Sequence, residues 1–255
     1  MTERFLEKIL AQKVREVAAL PKEVLKVGRT PQSFYQRVRQ DKRHLHVIAE
    51  LKRASPSLGV INEEVNLLTQ ARTYSSAGAS MISVLTDQSF FKGSLADLAQ
   101  VAEQVDLPIL NKDFIIDERQ IIRAYNAGAS LILLIVAALS VQRLRELYDF
   151  AMSLGLEVLV ETHNLAELQV AHELDAKIIG VNNRDLRTFE TNLQTSLDLA
   201  QHFGTKAIYI SESAIDGAED ARQLVPFFDG ILVGRALMQA DRVADKLEEL
   251  RIDKG

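Results

Sequence analysis

The chain contains neither cysteine nor tryptophan. Without thiols it cannot be a disulfide-stapled scaffold, use a cysteine nucleophile, or hold zinc or an iron–sulfur cluster through thiolates. An excess of positive charge is missing too: 30 Lys and Arg stand against 35 Asp and Glu, a formal net charge of −5. No nucleic-acid partner is therefore expected, because tracking phosphates needs a basic surface. Nor is there a long hydrophobic run. The longest, Leu131 to Leu139, falls well short of the ~20 apolar residues of a membrane-spanning helix and reads as a buried strand, so no membrane partner is expected either. The first residues carry Glu3, Glu7 and Glu16 among basic ones, unlike an acid-poor transit peptide, and lack the apolar core of a secretory signal. A cytoplasmic location is the expectation.

What is present is the balance of a soluble globular protein, 47% hydrophobic and 25% charged residues over 255 positions, enough to bury a large core. From Val47 onward, short β-branched or leucine-rich runs alternate with longer segments of helical spacing. The runs are Val47 to Ala49, Met81 to Leu85, Pro108 to Leu110, Leu131 to Val136, Leu156 to Val160, Ile178 to Val181, Ala207 to Ile210 and Ile231 to Val233. Helices are predicted near 63–77, 94–105, 117–127, 141–153, 164–174, 192–202, 216–224 and 236–250. Ala77-Gly78-Ala79-Ser80 and Ala127-Gly128-Ala129-Ser130 each close a helix with a glycine suited to a left-handed cap and feed the next strand. Eight βα units predict an α/β fold closed as a (β/α)8 TIM barrel. An open doubly wound sheet is the alternative, but no Gly-x-Gly-x-x-Gly opens a helix after the first strand.

Residues 1–45 lie outside this rhythm. Phe5, Leu6, Ile9, Leu10, Val14 and Val17 give one apolar face on a helix ended by Pro21, and a second short helix is predicted from Pro31 to about Gln40. The expected organisation is an N-terminal helical extension, 1–45, packed on a single barrel domain, 46–255. The sequence leaves the oligomeric state open, and a monomer is compatible with it.

Barrels of this type carry their chemistry at the C-terminal ends of the strands. Those ends hold Glu50 and Lys52, Asp87, Lys112 and Asp113, Glu161, Asn182 and Arg184, Ser211 to Ser213, and Gly234 with Arg235. Two lysines and two glutamates on one mouth suit proton transfer on an anionic organic substrate, since burial and opposite charges drive their pKa values apart. His44, His46, His163, His172 and His202 are too scattered to argue for a metal site. After the seventh strand, Ser211-Glu212-Ser213-Ala214-Ile215-Asp216-Gly217 runs into a helix, and after the eighth Val233-Gly234-Arg235-Ala236 does the same. Backbone amides at two such turns make an anion site, so a phosphorylated small-molecule substrate is expected.

Several of these stretches together resemble the indole-3-glycerol phosphate synthases of tryptophan biosynthesis. They are Ile48-Ala49-Glu50-Leu51-Lys52-Arg53-Ala54-Ser55-Pro56-Ser57, Ser83 to Asp87, Phe90 to Leu95, Asn111-Lys112-Asp113-Phe114-Ile115, Val160-Glu161-Thr162-His163, Val181 to Leu186, and Ser211-Glu212-Ser213. The resemblance implies a cofactor-free closure of 1-(2-carboxyphenylamino)-1-deoxyribulose 5-phosphate to indole-3-glycerol phosphate, with loss of carbon dioxide and water. It also implies roles. Lys112 would be the general acid at the substrate carbonyl, with Lys52 as acid and Glu161 as base in the dehydration. Glu50 would orient the lysines and Asn182 would hold a hydroxyl. Ser213, Ala214, Gly234, Arg235 and Lys52 would hold the phosphate. Ser55, Pro56, Ser57, Phe91, Phe114, Leu133, Arg184, Leu186 and Glu212 would contact the rest of the substrate. Two departures bear on the phosphate: Ala214 stands where the family has glycine, and Arg235 where it has serine or glutamate.

Two alternatives are weighed. One is another phosphate-binding barrel of amino-acid metabolism, such as phosphoribosylanthranilate isomerase, but that family's chemistry uses a cysteine or similar thiol base, and the chain has none. A non-catalytic binding module would have lost one of Glu50, Lys52, Lys112 or Glu161, and all four are present.

Overall fold

The computed structural model describes residues 5–55, 59–60, 66–186 and 188–255. Its chain order begins with α1 (Phe5–Ala19), α2 (Phe34–Gln40) and β1 (His46–Leu51), followed by a short antiparallel pair, β2 (Ala54–Ser55) and β3 (Gly59–Val60). Then come α3 (Leu67–Ser76), β4 (Met81–Leu85), α4 (Leu95–Gln104), β5 (Ile109–Lys112), α5 (Glu118–Ala127), β6 (Leu131–Ile135), α6 (Val141–Ser153) and β7 (Glu157–Thr162). The chain ends with α7 (Leu165–Glu173), β8 (Ile178–Asn182), α8 (Gln194–Ala200), β9 (Ile208–Glu212), α9 (Ala218–Leu224), β10 (Gly230–Val233), α10 (Arg235–Met238) and α11 (Val243–Leu250). All strands except β2 and β3 pair in parallel and close on themselves in the order β1-β10-β9-β8-β7-β6-β5-β4. The expected TIM barrel is the observed fold.

Every residue of β1, β4, β6, β8, β9 and β10 is buried, which is why these strands read as unbroken apolar runs: helices cover one face and the barrel interior fills the other. The helices start where a side chain takes up their orphan amides. Ser94 caps α4, Ser140 caps α6, Asn164 caps α7, and Asp117 with Gln120 forms a capping box on α5. Gly78 and Gly128 sit after α3 and α5 at φ +89° and +107°, the left-handed conformation that the paired Ala-Gly-Ala-Ser segments predict. The predicted last helix is two, α10 and α11, because Gln239 to Arg242 turn between them.

The extension clasps both ends of the barrel. At the N-terminal end of the strands, Phe34 and Val38 of α2 join the interior cluster. There Glu157, which opens β7, accepts hydrogen bonds from Ser33 Oγ and from the amides of Phe34 and Tyr35, the latter two at 2.9 and 3.1 Å. At the opposite end α1 lies over the mouth, and its contact face differs from the predicted stripe. Val14 is 59% exposed, whereas Lys13 is only 3% exposed. The row Ile9, Lys13, Val17 faces the barrel because Asp87 and Asp113 each place a carboxylate oxygen 2.8 Å from Lys13 Nζ.

Candidate active site

Period-two alternation generates the site. Ile48, Leu110, Leu159, Ile210 and Leu232 point into the barrel and pack there with Met81, Leu131, Leu133, Ile178 and Ile208. Two residues further along the same strands, on the same face, stand Glu50, Lys112, Glu161 and Glu212, and Gly234 follows Leu232 just past the end of β10. The mouth is thus the top layer of the barrel interior, with charged groups seated on an aliphatic floor.

Lys112 is its centre. Its Nζ lies 2.8 Å from Glu161 Oε2 and 2.8 Å from Glu212 Oε2. Beside it, Lys52 Nζ donates to Glu50 Oε1 at 2.6 Å. Burial disfavours the charged form of Lys112, but Glu161 and Glu212 outweigh it and hold the lysine well above the ordinary ammonium range. For the two carboxylates burial again opposes charge, and here their fates divide. Lys112 and His163 together keep Glu161 below the usual carboxylate range. Glu212, facing the already ionised Glu161 across the same lysine, is pushed up to about 7. One buried cation shared by two carboxylates leaves one of them poised to exchange a proton near neutrality.

Two glycines make room for this set. A Cβ at Gly180 would collide with Glu212 Oε1, and one at Gly234 would overlap Glu50 Oε1 and stand 2.7 Å from Lys52 Nζ. Past β9, Ser213 and Ala214 both adopt left-handed backbone, φ +68° and +59°, at a cost of ~1–2 kcal/mol per L-residue. A glycine would adopt the Ala214 conformation without that cost, which explains the expectation of glycine there.

The cleft over Lys112 is lined by Glu50, Lys52, Glu161, Asn182, Arg184 and Ser213, with apolar walls from Phe91, Phe114, Leu133 and Leu186. The Phe91 and Phe114 rings face each other at 6.2 Å, tilted by 34°. An adjoining recess is bounded by Lys52, Arg184, Ser213, Ala214, Gly234 and Arg235. The structure therefore brings all but three of the predicted residues to one mouth. Ser55 ends β2, and Pro56 and Ser57 lie outside the described residues. Arg235 reaches the recess with its charge engaged, as its guanidinium grips both oxygens of Asp216 at 2.6 and 2.8 Å.

Some candidates at the strand ends face elsewhere. Ser211 turns away from the mouth to bond Asn183 and Ser196, as its one-residue offset from Glu212 requires. Asp87 ties the amides of Phe90 and Phe91 and the ammonium of Lys13. Other residues take part without having been singled out from sequence. Phe5, Leu6 and Ile9 of α1, together with Phe189, complete the cleft. Lys13 was detectable as a lysine at i+4 from Ile9 and i−4 from Val17. Among the described residues no group of three or more histidine, aspartate or glutamate side chains is disposed to hold a metal ion.

The profile of the family described as indole-3-glycerol phosphate synthase matches residues 6–250. The chain is 60% identical over 255 residues to the indole-3-glycerol phosphate synthase of Streptococcus gordonii, covering 100% of both chains. It is 59% identical, again over 100% of both chains, to the protein of the same name from Streptococcus sanguinis. Among solved structures, 3-hexulose-6-phosphate synthase from Salmonella typhimurium superposes with a TM-score of 0.66 at 13% identity, over 81% of this chain and 96% of that one, a likeness of fold alone.

Proposed function

The chain belongs to the indole-3-glycerol phosphate synthase family, and on that premise we propose how its mouth closes the indole ring of 1-(2-carboxyphenylamino)-1-deoxyribulose 5-phosphate. The enzyme is a carboxy-lyase of tryptophan biosynthesis. The single observation that carries the assignment of roles is the Lys112 ammonium held at 2.8 Å by both Glu161 and Glu212, on the floor of a cleft with an aromatic wall and a basic end.

Lys112 protonates the substrate carbonyl oxygen as the ring carbon bearing the carboxylate forms a bond to the carbonyl carbon. The bond to the carboxylate then breaks, its electron pair restores the aromatic ring, and carbon dioxide leaves. In the second half Lys52 gives a proton to the departing hydroxyl, which leaves as water, while Glu161 takes one from the adjacent methylene to form the new double bond. Two protons are given and one is taken, so each turnover draws one proton from solvent. Glu161 Oε2, 2.8 Å from Lys112, is placed to return its proton to that lysine. Glu212, titrating at about 7 on the other side, is suited to supply the second. Glu50 orients Lys52, and Asn182 holds a sugar hydroxyl.

Phe91, Phe114, Leu133 and Leu186 clasp the aromatic ring, and Arg184 contacts the rest of the substrate. The phosphate occupies the recess of Lys52, Ser213, Ala214 and Gly234, with Arg235 at its rim shared with Asp216. Residues 1–45 serve as a clasp on a single barrel domain, and the location is the cytoplasm. Among the described residues no helix is long and apolar enough to cross a membrane.

The test exploits the absence of tryptophan. Adding the substrate produces a rising indole emission above a tyrosine background, with one carbon dioxide released per indole. Binding of the substrate by calorimetry with no indole signal would overturn the reading in favour of a non-catalytic barrel.

A further inference from the structure

Glu161 touches Lys112 through Oε2, and its other oxygen faces away from the cleft toward a histidine for which the chemistry above has no use. His163 Nε2 stands 3.2 Å from Glu161 Oε1. That is an ion-pair distance, at an angle that makes no hydrogen bond, and this buried nitrogen has no other partner among the described residues. The opposite ring nitrogen, Nδ1, lies 3.0 Å from Glu167 Oε2. That carboxylate also accepts the His163 amide at 2.9 Å and the Asn164 side chain at 2.6 Å. Glu167 is itself fixed by α7, whose cap Asn164 receives the Glu167 amide at 3.0 Å. His163 borders a second cavity beside the mouth, shared with Glu167 and Glu7, whereas Glu161 borders the reaction cleft. The Glu161–His163 contact therefore crosses the wall between two cavities.

We propose that His163, clamped between Glu161 and Glu167, is a positioning residue that fixes Glu161 Oε1 so that Oε2 is presented to Lys112 and the substrate. A carboxylate on a short arm otherwise rotates about its last torsion, and misplacing a reacting group by about 1 Å costs on the order of 10²-fold in rate. A neutral imidazole would present Nε2 as donor or acceptor according to tautomer, but the flanking carboxylates remove that ambiguity. Although burial opposes the charge, Glu161 and Glu167 together hold His163 protonated, up to about 10, so both nitrogens carry a proton and the ring keeps its positive charge against both carboxylates. Glu161 is faced by Lys112 from β5 and by His163 just past its own strand, with Glu212 from β9 on the same lysine and Glu50 from β1 and Lys52 just after it across the cleft. Behind His163 stand Glu167, Glu7 and Glu190.

The inference rests on Glu161 being the base, so its test is read in two ways. In the unliganded protein labelled with carboxyl-¹³C glutamate, with the Glu161 resonance identified by its loss in Glu161→Gln, the Glu161 titration midpoint rises in His163→Asn by about one pH unit or more. The same midpoint rises less in Glu167→Gln, which loosens the clamp from behind and keeps the proposal testable should the histidine variant fail to fold. In turnover, His163→Asn, whose amide stops short of Glu161, loses about tenfold in kcat with KM nearly unchanged. His163→Gln, whose Nε2 reaches the same place, recovers most of it. An unmoved Glu161 midpoint, or Asn and Gln variants of equal kcat, overturns the proposal. Absence of indole formation by the unsubstituted protein overturns the reaction assignment and leaves the titration to judge the clamp.

Discussion

Strand β7 carries a half-buried glutamate, Glu157, at its start and a fully buried one, Glu161, near its end, and the two ends of the barrel differ as those glutamates do. At the bottom, Glu157 is met by the Ser33 hydroxyl and two amides at the start of α2. Every donor there is neutral, and burial pushes the carboxyl up. At the top, Glu161 shares one ammonium with Glu212 and leans on an imidazolium. The bottom glutamate has as many donors as it needs and serves to seat a helix. At the top, three carboxylates, Glu161, Glu212 and Glu167, share two cations, Lys112 and His163, which is a poor arrangement for stability and a good one for moving protons. Left-handed backbone at Ser213 and Ala214 and a Glu212 Oε1 with no hydrogen-bond partner among the described residues add to the strain at the mouth. A buried acid is therefore read by what surrounds it, not by its burial.

The sharpest break in that contrast is Lys112→Ala. Turnover falls on the order of 10²-fold or more, the scale of a positioned general acid, while circular dichroism stays unchanged. Steady-state kinetics with near-normal turnover would remove Lys112 from the acid role. Gly180→Ala is next. Its Cβ displaces the Glu212 carboxylate, and we expect turnover about tenfold lower or more, with unaltered kinetics counting against a role for Glu212 beside Lys112. The smallest effect sharpens the comparison from the stability side. Ala214→Gly relieves a left-handed alanine, so the protein gains ~1 kcal/mol and melts ~2–4 °C higher. A lower melting temperature by calorimetry would show that the Ala214 methyl packs more than its backbone strains.

Most of the barrel was legible in the sequence because parallel strands buried on both faces produce apolar runs that little else explains. The mouth was legible too, for Lys112, Glu161 and Glu50 continue the inward parity of Leu110, Leu159 and Ile48. That same parity separates Glu212 from Ser211, a distinction that grouping the strand-end residues together obscured. Tertiary pairings were not legible. That Lys13 turns inward while Val14 faces solvent depends on Asp87 and Asp113, some 70 and 100 positions away, and the commitment of Arg235 to Asp216 follows from the approach of two loops. His163 stood within a quoted motif, yet its place behind Glu161 needed the α7 cap to be seen.

The most direct measurement compares Glu161→Gln with Glu157→Gln, the same substitution at two positions of one strand, by single-turnover indole emission and thermal melting. The account predicts that Glu161→Gln slows indole formation on the order of 10²–10⁴-fold with little loss of stability, and that Glu157→Gln loses ~1–3 kcal/mol while keeping its rate within about threefold. Parental indole formation by Glu161→Gln, or an equal loss of rate in a folded Glu157→Gln, would contradict it.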